Sequence, residues 1–369
     1  MTVEFVNAIS TRPAKKTTIA DTFRAGIDPA WLKRYARTID EFGFDYTLVP
    51  YHSSGPDQYA LAATILAATE RLKTVVAVRP NTSFPTVAAQ ALATLDQLSE
   101  GRTIVHIISG SDDAEQQRQG DYLSKTERYE RSTEFIQILR DVWTKKETFS
   151  HHGKYYDFDN FGPAFETFSG QSLPVSLGGS SDFAYTSGGQ QADIFALWGE
   201  PLKETKQQID RVYEEAHKAG RTERIRFWVT FRPVVAETDE LAQQKARGIV
   251  EAATKLYGNF GQGATNVGTV RLQEIAKTAE YHEDGVLWTP RAFAGAGGAS
   301  SLLVGSPETI AKTLVKYVEL GADVISLPSL GDIGESIDTG RYIIPLVHDE
   351  IARRGINLEA AWEPAALAS

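Results

Sequence analysis

Short apolar runs alternate with longer amphipathic segments along most of the 369-residue chain. Runs rich in β-branched residues that are apolar throughout are typical of strands buried on both faces of a parallel sheet. The pattern predicts eight such strands, at 3–8, 46–49, 74–78, 103–108, 173–177, 194–197, 226–231 and 324–327. A short two-stranded excursion is expected around 151–158.

Between these runs, apolar residues three and four positions apart predict helices. The segment from Pro29 to Phe42 shows the pattern well, because Trp31, Tyr35 and Ile39 share one face and Gly43 follows as a helix stop. Further helices are predicted at 59–69, 85–98, 126–145, 183–189, 202–219, 238–256, 307–320 and, as a cover at the C-terminal end, 340–355.

Eight strands that are each followed by a helix predict an α/β fold, a (β/α)8 TIM barrel with a lid-like insertion before the eighth strand. An open, doubly wound sheet is the alternative, but the first strand is not followed by the Gly-x-Gly-x-x-Gly pattern that such folds use for dinucleotides. We expect a single domain over 1–369, in which a mobile Gly/Ala/Ser-rich insertion covers about 257–304 and a C-terminal extension about 340–369.

The charge and residue usage narrow the function. A net charge of −10 argues against nucleic acid or an anionic membrane surface as a partner. Cysteine is absent, which excludes disulfides and thiolate chemistry, and the seven histidines show no spacing typical of a metal site, so no metal is predicted. The N-terminal residues lack the features of a signal peptide, and we expect a soluble cytoplasmic protein.

In a barrel the active site lies at the C-terminal ends of the strands, and there the polar residues concentrate. The segment Leu177-Gly-Gly-Ser-Ser-Asp182 follows the fifth predicted strand. Its glycines allow the backbone to approach a phosphate, while Ser180, Ser181 and the helix amides donate hydrogen bonds. An ordinary N-cap explains the same residues equally well.

Several other candidates occupy comparable positions. The predicted helix after the central strand begins with Arg128 and Tyr129, which either reach a phosphate or form a polar helix face with one buried ring. His106 is either a satisfied core histidine or a functional residue near a strand end, and His52 is either a proton donor in a mouth loop or a surface residue.

Trp198 ends a strand and is placed to lay its indole against a planar cofactor or substrate. Arg232, Arg291 and Arg341 are candidates for a bidentate clamp on an anionic substrate, although each alone is more often an ion-paired arginine. Arg291 is preferred among them because it lies in the insertion, where a lid that excludes water is expected.

Seven stretches of the chain match a known family, and they are Val76-Ala-Val-Arg-Pro80, Pro85-Thr-Val-Ala-Ala89, Ala93-Thr-Leu-Asp-Gln-Leu-Ser-Glu-Gly-Arg102, Ser109-Gly-Ser-Asp112, Glu127-Arg-Tyr-Glu130, Leu177-Gly-Gly-Ser-Ser-Asp182 and Trp198-Gly-Glu-Pro201. In these stretches the chain resembles the bacterial luciferase-like flavin monooxygenases, and within them the FMNH2-dependent alkanesulfonate monooxygenases. The resemblance spans about residues 30 to 330.

The resemblance implies a two-component enzyme. FMN would arrive as FMNH2 from a separate NAD(P)H-dependent flavin reductase, and O2 would form a peroxyflavin that oxygenates a small organosulfur substrate. For a sulfonate the products are an aldehyde and sulfite. Relatives are commonly homodimers or homotetramers. Residue by residue, Ser180, Ser181 and Tyr129 would hold the phosphate, and His106 and Ser109 would line the ribityl chain and ring.

The substrate half departs from the family pattern. Sulfonate-cleaving members carry Arg and His at the end of the seventh strand, where this chain has Thr230 and Arg232. Where the family has a cysteine, an arginine and a tyrosine, this chain has Gly55, Ala296 and Leu330. Arg232 and Arg291 are predicted to rebuild the anion clamp. His52 takes the place of a histidine that assists the flavin chemistry in luciferase relatives.

Three alternatives stay open on the same barrel. The first is a flavin-dependent monooxygenase that acts on a non-sulfonate small molecule, and the second is a flavin- or deazaflavin-dependent dehydrogenase. The third is a flavin-binding protein without turnover, which has little need for a lid that excludes solvent.

Overall fold

Parallel strands form the centre of the computed structural model, which describes residues 2–13, 26–110, 112–257, 266–291, 301–329 and 332–359. The strands are β1 (Glu4–Ala8), β2 (Tyr46–Val49), β3 (Lys73–Val78), β4 (Thr103–Ile107), β5 (Phe149–His152), β6 (Asp157–Phe161), β7 (Val175–Gly178), β8 (Ile194–Trp198), β9 (Arg226–Thr230), β10 (Arg232–Val235), β11 (Tyr281–His282), β12 (Leu287–Trp288), β13 (Leu302–Gly305) and β14 (Ala322–Ser326).

Eight of these strands close into a barrel in the order β1-β14-β9-β8-β7-β4-β3-β2. Val6 of β1 pairs with Tyr46 of β2 on one side and with Ser326 of β14 on the other, so the sheet has no edge. These are the eight strands predicted from the sequence. The barrel is confirmed, and the open-sheet alternative is wrong.

Helices cover the outside of the barrel. They are α1 (Pro29–Glu41), α2 (Gln58–Leu66), α3 (Pro85–Leu98), α4 (Asp113–Gln117), α5 (Lys125–Thr144), α6 (Asp182–Gln191), α7 (Leu202–Lys218), α8 (Asp239–Tyr257), α9 (Val267–Thr278), α10 (Pro307–Glu319), α11 (Ile333–Asp338) and α12 (Ile344–Arg354), with a 3₁₀ turn at Glu283–Gly285 and a π turn at Thr339–Ile343. No described helix is both long and apolar enough to cross a membrane.

Helix α1 shows how local sequence sets the element ends. The Asp28 carboxylate accepts hydrogen bonds from the amides of Ala30 and Trp31, both at 3.0 Å, and Pro29 needs no donor partner at the first position. Gly43 follows with a φ of +85°, a conformation that glycine adopts without strain. Burial of the apolar face holds the helix on the barrel.

The insertion is more regular than the sequence predicted. Its described part contains α9 and the strands β11, β12 and β13, which form a four-stranded sheet with β10 in the order β10-β13-β12-β11. This sheet packs on α8 through Val234, Ala246 and Val304. The sequence analysis did not predict strand β13, because its apolar run directly follows a Gly/Ala/Ser-rich stretch. Residues 258–265 and 292–300, with Ala296, lie outside the described residues.

The prediction of a helix over 340–355 as the C-terminal cover is confirmed in part. Helix α12 ends at Arg354 and is capped by Gly355, whose φ is +63°, but the chain before it forms the π turn rather than the first turn of that helix. Residues 330 and 331, with Leu330, and the tail 360–369 lie outside the described residues.

The barrel interior is apolar in the middle and ion-paired at its N-terminal end. The middle contains a cluster of Val6, Tyr46, Val75, Ile104, Ile194, Trp228 and Val324. Below it, Glu4 contacts both Arg226 and Lys73, and the Lys73 Nζ to Glu4 Oε1 distance is 3.9 Å. The interior is therefore filled from this end and opens only at the C-terminal ends of the strands.

Candidate active site

A cavity of about 510 Å³ lies at the C-terminal ends of the barrel strands, where the sequence placed the site. Eight of the nine predicted site residues line it: His52, His106, Ser109, Tyr129, Ser180, Ser181, Trp198 and Arg232. These residues are far apart in the sequence, and closure of the barrel brings them to one opening.

Two glycines after β7 leave room for a ligand at one side of this cavity. A Cβ on Gly178 would lie 2.8 Å from the Ala196 carbonyl oxygen. Gly179 has a φ of +143°, and a Cβ there would lie 2.7 Å from the Ala184 Cβ and 3.0 Å from the Tyr129 hydroxyl. Only glycine therefore fits at Gly179, and the backbone surface stays open.

The two serines that follow fit both interpretations of this segment, the phosphate site and the N-cap. The Ser181 hydroxyl accepts a hydrogen bond from the Ala184 amide at 3.3 Å and caps α6, so it is an N-cap. Ser180 and Ser181 also line the cavity. Free amides and the positive end of the helix dipole favour an anion at this point. We call Gly178, Gly179, Ser180, Ser181 and Tyr129 the phosphate cradle.

Tyr129 closes the cradle from α5. Its ring stacks on Phe183 with the centroids 6.5 Å apart. Burial raises the pKa of Tyr129, and this outweighs the opposite effects of a hydrogen bond to Ser181 and of the Arg128 charge. The phenol is therefore a neutral hydrogen-bond donor throughout the physiological range.

Arg128 does not reach the cavity, contrary to one interpretation of the Arg-Tyr pair. Its side chain is 2% exposed, and all its groups have partners. Nε donates to the Ser109 carbonyl at 3.1 Å, Nη1 to the Leu123 carbonyl at 2.7 Å and Nη2 to Asp113 Oδ1 at 2.7 Å. Arg128 thus holds the loop after β4 in place.

A capping box fixes the start of α5 and with it the direction of Tyr129. The Ser124 hydroxyl accepts from the Glu127 amide, and the Glu127 carboxylate accepts from the Ser124 amide at 2.8 Å. The helix therefore begins at Lys125, one residue before the predicted start. Lys125 lines the cavity one turn before Tyr129, and sequence reasoning missed it. The Ser-x-x-Glu pattern was the signal that could have found it.

His106 faces the barrel interior below the cavity. Its Nδ1 lies 2.9 Å from the Ser176 hydroxyl, and its ring centroid lies 5.6 Å from that of Trp228. Burial lowers the pKa of His106 to about 4, so the ring is neutral at physiological pH. The Trp228 Nε1–H also lines this region and is buried without a hydrogen-bond partner among the described residues.

Ser109 lies between the interior and the cradle. Its hydroxyl lies 2.9 Å from that of Ser132 on α5, and it lines the cavity. A hydroxyl can turn from its neighbour to a ligand, since its hydrogen rotates freely.

His52 sits in an exposed turn at the mouth. The Ser54 amide donates to His52 Nδ1 at 3.2 Å, and the Gly55 amide donates to the His52 carbonyl at 2.8 Å. Nδ1 is therefore an acceptor, which leaves Nε2 as the position for a proton on the neutral ring. Gly55 closes this turn.

An ion pair beside His52 was not predicted. Arg79 Nη2 donates to Glu115 Oε2 at 2.6 Å, and the other Glu115 oxygen accepts from the Ser53 amide at 2.9 Å. Burial alone would raise the pKa of Glu115, but the hydrogen bonds from Arg79 and Ser53 lower it. Arg79 also stacks on the Tyr51 ring at 4.7 Å. This cluster fixes the loop that carries His52.

Arg232 lies across the barrel from Arg79, because β9 and β3 are separated by three strands on either side. It lines the cavity beside Thr230. Burial lowers the pKa of Arg232 to about 10, which still leaves the guanidinium charged at neutral pH.

Trp198 connects the barrel to the insertion. Its ring packs on Leu272 and Ala276 of α9. A Cβ on Gly268 would lie 3.0 Å from that ring, so the start of α9 approaches the cavity closely. Asn266, Val267 and Gly268 line the cavity, and α9 therefore covers one side of it.

Like Arg128 and the further candidate Arg341, the predicted site residue Arg291 does not line the cavity. Its Nε donates to the Ala276 carbonyl at 3.0 Å and its Nη2 to the Lys277 carbonyl at 3.2 Å. Its Nε also lies 3.4 Å from Glu280 Oε1. Arg291 caps the C-terminal end of α9, so the proposed pair of Arg232 and Arg291 is not assembled.

Comparisons with solved structures agree with this architecture. The chain is similar to EDTA monooxygenase from Chelativorans sp. BNC1, with 16% identity, a TM-score of 0.75 and coverage of 98% of this chain and 96% of that one. It is also similar to the oxygenating constituent of 3,6-diketocamphane monooxygenase from Pseudomonas putida in complex with FMN, with 18% identity, a TM-score of 0.68 and coverage of 94% and 98%.

A third similar structure is an F420-dependent secondary alcohol dehydrogenase in complex with an F420-acetone adduct, with 17% identity, a TM-score of 0.70 and coverage of 94% and 99%. At these identities the likeness concerns the fold. The family model described as luciferase-like monooxygenase matches residues 5–324. With most of the chain matched, the protein belongs to the luciferase-like monooxygenase family of flavin-dependent enzymes.

Proposed function

We propose that this protein is the oxygenating component of a two-component, FMNH2-dependent monooxygenase that acts on a small anionic organosulfur compound. The observation that carries the proposal is one cavity with two different ends. The phosphate cradle lies at β7 and α6, and the Arg232 cation enters the same cavity from the end of β9.

The cradle fits the phosphate of FMN on chemical grounds. Its donors are two serine hydroxyls, a neutral phenol and the amides at the start of α6, and its glycines keep the backbone accessible. His106 and Ser109 would lie along the ribityl chain and ring. Reduced FMN, when bound, supplies the electrons that activate O2, and a separate NAD(P)H-dependent flavin reductase would deliver it.

The rest of the cavity supports the substrate. Arg232 would hold a sulfonate through charge-assisted hydrogen bonds, and its burial strengthens that attraction. Trp198 and the start of α9 would exclude water on the side of the insertion. For a sulfonate, one atom of O2 enters the carbon product, the carbon–sulfur bond breaks, and an aldehyde, sulfite, water and oxidised FMN result.

A proton-transfer group for the reaction would lie at the mouth of the cavity. His52 is the histidine closest to solvent on the cavity wall, and the Glu115–Arg79 pair fixes its loop. Exchange of a proton through His52 Nε2 matches the acceptor role of Nδ1. His106 is unsuited to this task, because burial keeps it neutral.

Stopped-flow spectroscopy tests the proposal. The anaerobic protein loaded with FMNH2 is mixed with oxygenated buffer, with and without members of a sulfonate panel. We expect a transient band, distinct from those of reduced and oxidised FMN, that decays faster with one sulfonate, together with release of sulfite. Arg232→Met should raise the KM for that sulfonate while leaving FMN binding intact. Immediate formation of oxidised FMN without a transient band would contradict the proposal.

A second candidate function is deazaflavin-dependent hydride transfer. The similar F420-dependent alcohol dehydrogenase favours it, since the same barrel holds a deazaflavin there. Reduction of F420 by an alcohol, with no consumption of O2, would replace our proposal by this one.

A further inference from the structure

We propose that Lys125 is the charge partner of the flavin phosphate and makes the site selective for a phosphomonoester flavin over a neutral one; this inference rests on the proposed function. The proposal starts from the charges of the side chains in the phosphate cradle. Each cradle side chain is neutral, whereas the phosphate of FMN carries close to two negative charges at pH 7. A nearby cation would therefore contribute strongly to binding.

Lys125 is placed for this role. It is the first residue of α5, and Tyr129 lies one turn further along the same helix. Residues four positions apart lie on the same helix face, and both line the cavity. The capping box of Ser124 and Glu127 fixes this first turn, so the lysine stem starts from a defined position.

The other cations near the cradle are already engaged. Arg128 donates from every nitrogen of its guanidinium to Ser109, Leu123 and Asp113. By contrast, the Lys125 ammonium makes no hydrogen bond and no ion pair within 4 Å to any residue in the described part of the chain. Asp113, the opposing charge that acts on this ammonium, is paired with Arg128 at 2.7 Å.

The remaining lysine and arginine side chains among the described cavity-lining residues lie elsewhere. Arg79 follows β3 and is neutralised by Glu115 at 2.6 Å. Arg232 follows β9, with β8 between it and the cradle strand β7. Lys125 is thus the cation on the cradle's side of the cavity, and partial burial there strengthens its attraction to a dianion. Burial and the Arg128 charge lower the pKa of Lys125, and the Asp113 charge opposes this only in part.

The test is equilibrium binding of oxidised FMN and of riboflavin, followed by flavin fluorescence. Wild-type protein should bind FMN more tightly than riboflavin. Lys125→Ala should weaken FMN binding by about 10- to 100-fold, the range for loss of a hydrogen bond to a charged group, and should change riboflavin binding by less than about twofold. Lys125→Arg should restore most of the preference, and added salt should reduce it in the wild type more than in Lys125→Ala.

Lys206→Ala is the matched control, because it removes the same charge from a surface pair with Asp210 on α7. It should leave both affinities unchanged. If Lys125→Ala keeps the full preference for FMN, Lys125 is not the charge partner, although the proposed function stands. If the wild type binds FMN no more tightly than riboflavin, the inference is also overturned. If it binds neither flavin in the oxidised form and also fails to bind FMNH2 under anaerobic conditions, the proposed function fails together with the inference.

Discussion

Gly179 is the residue at which backbone geometry most directly limits the site. Its φ of +143° and the 2.7 Å approach of a Cβ to the Ala184 Cβ leave no room for a side chain. We expect Gly179→Ala to lower the free energy of unfolding by about 1–3 kcal/mol. We also expect it to weaken FMN binding at least about tenfold, since the cradle would move. Denaturant titration and flavin fluorescence measure the two effects.

Gly220→Ala is the control for this prediction. Gly220 also has a positive φ, +70°, but a Cβ there meets nothing within 4 Å. The substitution should cost about 1–2 kcal/mol of stability from backbone strain alone and leave FMN binding unchanged. Equal loss of FMN affinity in the two variants would show that strain, not obstruction of the cradle, is responsible.

At the scale of single residues, we expect His106 to make the free energy of unfolding depend on pH. Its pKa is about 4 in the folded protein and about 6.5 when unfolded, so the unfolded chain binds the proton first as the pH falls. The stabilisation is therefore complete above pH 6.5 and is lost toward pH 4, by up to about 1.4 kcal/mol per pH unit. His106→Gln should make the decline in unfolding free energy between pH 6.5 and 4 shallower.

The exposed His152 should affect stability with the opposite pH dependence. A hydrogen bond to Asp157 at 2.6 Å raises the pKa of His152, so its stabilisation is present at low pH and is lost as the pH rises. His152→Gln should therefore not flatten the decline toward pH 4. Identical acid profiles for His106→Gln and wild type would refute the assignment of a neutral, buried His106.

At the scale of elements, an ion pair joins α9 to the barrel. Arg271 donates twice to Glu200, at 2.9 and 2.6 Å, and the Glu200 side chain is 1% exposed. Burial raises the pKa of Glu200, and Arg271 opposes that rise. Arg271→Leu leaves a buried carboxylate without its partner, which we expect to cost about 2–3 kcal/mol after allowance for the partial exposure of Arg271. Denaturant titration measures the loss.

The same substitution should loosen the cover over the cavity. Amide hydrogen exchange in α9 should become faster, while exchange in β3 and β4 should change only through the global loss of stability. Arg353→Leu is the control, because it breaks an exposed pair with Glu350 and leaves no buried charge. A stability loss as small as that of the control would mean that the Arg271–Glu200 pair does not hold α9 in place.

At the scale of the whole molecule, the hydrophobic core has unequal parts. The main cluster joins the barrel strands to the surrounding helices and includes Leu287 and Leu303 of the small sheet. Other residues of that sheet share a separate cluster with α8, made up of Val234, Ala242, Ala246, Val250, Ala253, Trp288, Leu302 and Val304. Several of its members are alanines, which bury little apolar area. We expect this part to open at lower free energy than the barrel.

Native-state hydrogen exchange measures that difference. Slowly exchanging amides in β3, β4 and β9 should report global unfolding, while those in β10, β13 and α8 should exchange through a smaller opening with a weaker denaturant dependence. Equal protection and equal denaturant dependence in both parts would show that the molecule unfolds as one unit.

The strengths of sequence-based prediction here follow from local physics. The period of apolar residues and the stop signals, such as Gly43, act within a few residues of each other, so the eight barrel strands could be predicted. The rule that barrel sites lie at the carboxyl ends of strands then selected the cradle serines without knowledge of their contacts. The small sheet was missed because β11 and β12 contain only two residues each.

The alternation of strands and helices, the barrel and the polar strand ends at its mouth could all be predicted, because spacing along the chain specifies each of them. Which cations enter the cavity depends on contacts that form only in the folded protein. Arg128 and Arg291 donate hydrogen bonds to backbone carbonyl groups and therefore do not enter the cavity. The charge of Arg79 is neutralised by Glu115, 36 residues away. The contacts of Arg79 with Glu115 and of Arg291 with the end of α9 join segments that are separated in the sequence, and no spacing rule encodes such contacts. The position of Lys125 one turn before Tyr129, by contrast, follows from the Ser124-x-x-Glu127 pattern.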